Sequence, residues 1–89
     1  MAWTIEYTAV ADRQLRKLNP KRARLILDYL DQRIATADNP RQFGHALVGN
    51  YAGYWRYRVD DMRIICQIFD GRLAVLVVKI GRRDSIYGD

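Results

Sequence analysis

The sequence predicts an α+β domain in which an N-terminal strand and a helical hairpin pack on one face of a four-stranded, mainly antiparallel sheet. Three observations predict it. Apolar residues recur at i, i+3 and i+4 through residues 8–37, the period of helices with one buried stripe. Three strand-like runs, 54–59, 62–69 and 73–80, then follow one another across short turn signals. A short alternating run, Trp3-Thr4-Ile5-Glu6-Tyr7, precedes the helices.

Taken in order, the first strand places Trp3, Ile5 and Tyr7 on one side. Thr8 is a suitable N-cap for a helix to about Leu18, with Val10, Ala11, Leu15 and Leu18 as its stripe. Asn19-Pro20 breaks it, and Pro20 suits the first turn of a second helix. That helix runs to about Ala37 on Ala23, Ile26, Leu27, Leu30 and Ile34, and Asn39-Pro40 ends it. Residues 38–53 form a loop containing Gly44, Gly49 and Gly53. Asp60-Asp61 and Asp70-Gly71 are the two hairpin turns of the meander. Gly81 ends the last strand, and a polar tail, Arg82 to Asp89, follows. A strand up, a helix down, a helix up and strands down, up, down set the first strand antiparallel to either outer strand of the meander. With no repeat or linker, residues 1–89 form a single domain.

A two-residue loop at Asp60-Asp61 pairs Val59 with Met62, Arg58 with Arg63, Tyr57 with Ile64 and Arg56 with Ile65. Continued through Asp70-Gly71, the register pairs Phe69 with Arg72 and Arg63 with Val78. Trp55, Tyr57, Val59, Met62, Ile64, Cys66 and Ile68 then face the helices. Arg56, Arg58 and Arg63 lie on the opposite, open face, together with Ile65, Ala74, Leu76, Val78 and Ile80. Like charges facing each other across a ladder are destabilising. Three arginines in one patch therefore predict a bound anion, and phosphate suits them best. The tail leaves beside this patch, so Arg82, Arg83 and Tyr87 are expected to fold back over it.

Bulk properties agree with a small binder of polyanions. Fifteen basic and ten acidic residues give a net charge of +5, and the isoelectric point is near 9.7. A hydrophobic content of 49% fits a globular chain rather than a disordered one. The single cysteine, Cys66, excludes an internal disulfide and reads as an inert core thiol. Trp3, Trp55 and Tyr57 are expected in the core, and His45 on the surface of its loop. No stretch approaches the length of a membrane span, and the N-terminus lacks the layout of a signal peptide, so the expected location is the cytoplasm. No cluster has metal-ligand spacing, and no metal or cofactor is expected.

Clustered guanidiniums and a phenol suit metal-independent cleavage of RNA. The ribose 2′-hydroxyl attacks the adjacent phosphorus, negative charge grows on the phosphoryl oxygens, and preorganised arginines stabilise it. A base must take the 2′-proton, and arginine is unsuited to that role. Tyr87 is the neighbouring candidate, since nearby cations favour the ionised form of a phenol.

The run Leu47-x-Gly49-x-x-x-Gly53-Tyr54-Trp55-Arg56-Tyr57-Arg58-Val59, then Arg63-Ile64-Ile65, then Gly81-Arg82-Arg83-x-x-x-Tyr87, resembles the RelE toxins of the RelE/ParE superfamily. The order of elements is similar along the whole chain, and the motifs cover residues 47–87. The resemblance implies a type II toxin that cleaves mRNA in the ribosomal A site and is inhibited by a cognate antitoxin in a toxin–antitoxin hetero-oligomer. By position it implies catalytic roles for Arg56 and Arg58, for Arg63 at the phosphate, for Arg83 at the leaving group, and for Tyr87 as base. Arg56 and Arg58 stand where the best-known members carry lysines, Asp60-Asp61 where many carry a glycine, and Arg82 where several carry histidine. Only two residues follow Tyr87, so no C-terminal helix is expected behind it.

Arg82 and Tyr54 are expected to touch RNA, Tyr54 by stacking on a base. The helical cations Arg13, Lys17 and Lys21 are expected to form a second contact with RNA backbone, sensitive to salt. The apolar residues on the open face are expected to receive an acidic, amphipathic antitoxin segment. Two other readings remain open. One is a ParE-like, non-enzymatic poison of gyrase, and the other is an inactive module that binds RNA or the ribosome.

Overall fold

The computed structural model describes residues 2–87. Strand β1 (Thr4–Tyr7) leads to helices α1 (Ala9–Lys17) and α2 (Pro20–Tyr29), and α2 continues into a π-helical segment, Leu30–Ile34. A 3-10 turn, Pro40–Phe43, precedes the two-residue strand β2 (His45–Ala46), and a second 3-10 turn, Gly49–Tyr51, follows it. The meander is β3 (Trp55–Val59), β4 (Met62–Phe69) and β5 (Ala74–Arg82).

Both helices begin as their capping residues dictate. The Thr8 hydroxyl accepts from the Ala11 amide at 3.1 Å, and the Asn19 side chain accepts from Arg22 at 2.8 Å. Each cap satisfies an amide that lacks an intrahelical partner. The second helix closes at Ile34, about a turn short of the expected Ala37.

The sheet has five strands in the order β1-β5-β4-β3-β2, one more than expected. The extra strand, β2, pairs antiparallel with β3. It also corrects the direction of β1, which runs parallel to β5, with Thr4 opposite Ala74 and Tyr7 opposite Val77. The expected antiparallel arrangement missed one reversal, because a two-residue strand inside a glycine-containing loop carries no periodic signal.

The hairpin register holds from Val59↔Met62 to Arg56↔Ile65, as expected. The next register does not. Residues Asp70–Arg72 form a 3-10 turn closed by Leu73 at φ 49°. Phe69 consequently pairs with Ala74, not Arg72. A bulge follows: Cys66 pairs with Val77 but Ile65 with Lys79, so Val78 is the extra residue. Arg63 therefore faces Gly81, not Val78, and beyond the bulge every β5 side chain has changed faces.

Beyond β1, the backbone of β5 is satisfied from α1. The Thr8 hydroxyl donates to the Val78 carbonyl at 2.7 Å, and the Ile80 amide donates to Gln14 Oε1 at 2.6 Å. The core between helices and sheet gathers Trp3, Ala11, Ile26, Leu30, Ile34, Tyr57, Ile64, Cys66, Val75, Val77 and Ile80. Tyr57 keeps its hydroxyl satisfied there by donating to the Pro40 carbonyl at 2.7 Å. Trp3 is buried as expected, whereas Trp55 is only partly so. Ile80 belongs to this core rather than to the opposite face, a direct result of the bulge. Ile65 and Ala74 do lie on the opposite face but are buried, which corrects their assignment as exposed docking residues.

Candidate functional site

The face away from the helices carries two rows of side chains read off the registers. One row runs His45, Arg56, Ile65, Lys79, and the next runs Arg58, Arg63, Gly81. Arg58 and Arg63 stand directly opposite each other, as expected, beside a turn in which Asp60 adopts φ 58°. That left-handed conformation is one aspartate tolerates better than most residues.

Arg63 is the centre of the arrangement. It is only 7% exposed, and its Nη1 donates to the Met62 carbonyl at 3.2 Å. Desolvation pushes its pKa down from the ordinary arginine value, and the guanidiniums of Arg58, Arg56 and Arg83 push it further; Tyr87 acts in the opposite sense. The four other residues implicated by sequence thus act electrostatically on one buried cation. Arg56 adds a buried Nε with no hydrogen-bond partner. A buried donor left unsatisfied costs free energy that an anionic ligand would recover. The ion pairs of the described residues involve Arg16, Arg22, Arg41, Arg72 and Arg82, and none enlists Arg56, Arg58, Arg63 or Arg83.

The tail is anchored by three contacts. The Arg83 amide donates to the Asp61 carbonyl at 3.4 Å, and the Ser85 and Ile86 amides donate to the Arg82 carbonyl at 3.1 and 2.9 Å. Ile86 is 1% exposed and covers Gly81: a Cβ added there would lie 3.0 Å from Ile86 Cδ1. A side chain at Gly81 would require the end of the Ile86 side chain to give by a few tenths of an ångström.

Arg82 does not join the cluster. In the register it pairs with Met62, on the helix side, and its Nη2 lies 3.3 Å from Asp61 Oδ2. Arg22 reaches the same carboxylate from α2, its Nη1 3.2 Å from Oδ1, close enough for an ion pair though not aligned as a hydrogen bond. Asp61, Arg82, Arg83 and Asp84 line a hollow of about 320 Å³ at this end of the sheet. Arg13, Lys17 and Lys21 are exposed on α1 and α2, separated from the arginine pocket by the sheet itself.

Tyr54 is half-buried, with its ring edge-on to Tyr51 at 5.9 Å between centroids. Tyr51 also meets Tyr87, at 5.4 Å and 70°, and its hydroxyl accepts from Lys79 Nζ at 3.0 Å. Tyr51, Lys79 and Ile86 were not singled out by sequence, and Asp61 was read only as a turn residue. Lys79 faces this side only because of the bulge at Val78, which has no residue signature. His45, expected on the loop surface, is exposed but sits on β2 directly across from Arg56. Cys66 is buried, and burial pushes its thiol pKa up, in keeping with an inert core residue. Among the described residues, no group of three or more His, Cys, Asp or Glu is placed to hold a metal ion. No helix among the described residues is long and apolar enough to cross a membrane.

A helical hairpin on a meander, with a cationic pocket at the hairpin turn, defines a toxin of the RelE/ParE superfamily. The family model for the ParE toxin of type II toxin–antitoxin systems, parDE, matches residues 5–87, and the chain belongs to that family. The fold resembles that of the RelBE2 toxin–antitoxin complex from Mycobacterium tuberculosis, with a TM-score of 0.85, 23% identity and 93% of each chain covered. It also resembles the isolated E. coli RelE toxin, with a TM-score of 0.71, 17% identity, and 91% of this chain and 84% of that one covered. The archaeal RelE–RelB complex from Pyrococcus horikoshii gives a TM-score of 0.69 at 20% identity, covering 96% and 99%. No curated protein sequence is a significant match.

Proposed function

We propose that this toxin is a ribosome-dependent mRNA endoribonuclease whose side-chain cations do the work of a metal. The observation that carries the reading is Arg58 standing directly opposite buried Arg63, with Arg56 on the same face and with Arg83 and Tyr87 acting electrostatically on Arg63. Like charges are held together here against their repulsion, which a dianionic phosphorane-like transition state relieves more than a monoanionic ground state does. In this scheme Tyr87 takes the proton of the ribose 2′-hydroxyl. The 2′-oxygen forms its bond to phosphorus as the bond to the 5′-oxygen breaks. Arg56, Arg58 and Arg63 hold the phosphoryl oxygens, and Arg83 stabilises the departing 5′-oxygen, which takes its proton from solvent water and leaves as an alcohol, while Tyr87 returns its proton to solvent. The products are a 2′,3′-cyclic phosphate and a 5′-hydroxyl end.

The family match favours a second reading, a ParE-like toxin that poisons gyrase without chemistry of its own. A third is an inactive RNA- or ribosome-binding module. Added to a translating extract, the purified chain is expected to cut message within A-site codons, and Arg83→Ala and Tyr87→Phe to reduce the cuts to a small remainder. Intact message with trapped gyrase–DNA complexes selects the second reading, and neither effect leaves the third.

A cognate antitoxin is the proposed partner, in a hetero-oligomer of the two. The complexes from M. tuberculosis and P. horikoshii support it, as does a net charge of +5 suited to an acidic segment. On the ribosome, Arg82, Tyr54, Arg13, Lys17 and Lys21 remain the proposed auxiliary RNA contacts. Their placement on two sides of the sheet suits two separate strands of RNA better than one.

A further inference from the structure

Four of the five groups assigned to the chemistry are fixed by backbone pairing. Arg56, Arg58 and Arg63 stand in ladder registers, and Arg83 is tied through its amide to Asp61. Tyr87 is not: it sits 42% exposed at the end of the terminal turn. Ile86 locks the backbone beside it but leaves its side-chain torsions free. The aromatic ring that meets Tyr87 is Tyr51, edge-on at 5.4 Å and 70°.

Tyr51 is itself held on two sides. Tyr54 packs against it at 5.9 Å and 81°. Lys79 donates to its hydroxyl at 3.0 Å, and the same ammonium lies 5.5 Å from the ring centroid. Lys79 points this way because the bulge at Val78 turns it out of the core face. Bulge, lysine and two tyrosines thus form a chain of contacts that ends on the Tyr87 ring.

We propose that Tyr51, locked by Lys79, is a positioning residue that holds the Tyr87 phenol against the arginine pocket. The inference rests on the assignment of Tyr87 as base, yet the contact can be tested apart from it. An edge-on aromatic pair biases its partner's orientation by roughly two- to tenfold. The effect belongs to turnover rather than to RNA binding, because Tyr51 acts only through Tyr87.

The test uses the full chain with isotope-labelled tyrosine, followed by NMR. Removing the ring in Tyr51→Leu is expected to shift the Tyr87 ring resonances to those of a tyrosine free in solvent. Tyr51→Phe and Lys79→Met, which break the lock but keep an aromatic ring, are expected to give smaller shifts in the same direction. Unchanged Tyr87 resonances in all three variants overturn the proposal, whether or not the protein cuts RNA. In the translating extract, Tyr51→Leu is expected to lower kcat by roughly two- to tenfold with KM unchanged. It is expected to cost nothing further on top of Tyr87→Phe. Additive losses in that double variant, or a loss confined to KM, overturn it as well. If the wild type cuts no message, the nuclease reading fails and the NMR result alone decides the contact. Should Tyr51→Leu fail to fold, Lys79→Met carries the same tests.

Discussion

Truncating Ile86 separates the stability of the tail from that of the domain. Its side chain is 1% exposed and rests on Gly81, where an added Cβ would come within 3.0 Å of Cδ1. Fully burying a side chain of this size stabilises by about 1.5–3 kcal/mol. Against it stands the ordering of residues 83–87, at roughly 1–2 kcal/mol per residue. Few other contacts oppose that cost: the Arg83 amide to Asp61, the turn bonds to Arg82, and the Tyr87 ring on Tyr51. Docking of the tail is therefore marginal, and Ile86→Ala, at a loss of about 2 kcal/mol, shifts it toward the undocked state by roughly 30-fold. The sheet and helices do not depend on the tail, so Tm should fall by less than about 4 °C. Trypsin supplies the assay, since Arg82 and Arg83 open the segment: cleavage there under native conditions should accelerate severalfold, with roughly 30-fold as the ceiling, and message cleavage should fall with the docked fraction. If instead the same 2 kcal/mol is lost globally, Tm falls by about 8–16 °C with no selective nicking at Arg82 or Arg83, and the reasoning is refuted.

Three further outcomes follow from the same structure. Replacing Arg58 by Met removes the charge facing Arg63 and should raise Tm by about 1–8 °C while weakening the stabilisation given by added phosphate; a lowered Tm contradicts the reading of Arg58–Arg63 as a strained pair. The Asp70 carboxyl, bonded by Arg41 at 3.0 and 2.6 Å, is held below the ordinary carboxylate range by that guanidinium. Its depressed folded value means the contribution is complete above about pH 4 and lost as pH falls through the lower value, so Asp70→Asn should flatten the acid limb of Tm against pH. The Cys66 thiol, buried with its pKa pushed up, should resist alkylation at neutral pH until denaturant is added; rapid labelling of the folded chain would contradict its placement.

Much of this architecture is legible from local chemistry. The caps Thr8 and Asn19, the breakers before Pro20 and Pro40, and the Asp60-Asp61 loop each act within a few residues, and all appear where expected. The Arg58–Arg63 pairing follows from one tight turn and an alternating pattern. What was illegible depends on counts with no side-chain signature. The turn after Phe69 uses four residues rather than two, because Leu73 adopts a left-handed conformation that aliphatic residues rarely take. The bulge at Val78 then moves Lys79 to the arginine face and Ile80 to the core. Each slip of one residue reverses a strand's faces; the longer turn shifts β5 by two and leaves its faces unchanged, so the bulge alone hid Lys79 and the placement of Gly81 opposite Arg63 while leaving Arg63 in view.

The placement of the acidic residues argues that the pocket's strain is maintained rather than incidental. Four of the chain's carboxylates are engaged outside it: Asp12 with Arg16, Asp61 with Arg22 and Arg82, Asp70 with Arg41, and Glu6 with Arg72. Asp61 is the telling case. It lies in the turn between the two arginine strands, yet its carboxylate is directed to Arg22 on α2 and to Arg82, while only its carbonyl meets Arg83. A carboxylate aimed at Arg63 would relieve the like-charge pair and occupy the place of an incoming phosphate. Drawing Asp61 to the helix side keeps Arg56, Arg58, Arg63 and Arg83 uncompensated, so the free protein gives up stability that the bound anion restores. On this argument Arg22 and Arg82 matter to the pocket through Asp61, apart from any contact Arg82 makes with RNA: with both replaced by Met, Asp61 is released toward Arg63 and the added stability conferred by phosphate should shrink, whereas an unchanged phosphate effect would show that the carboxylate's position is immaterial.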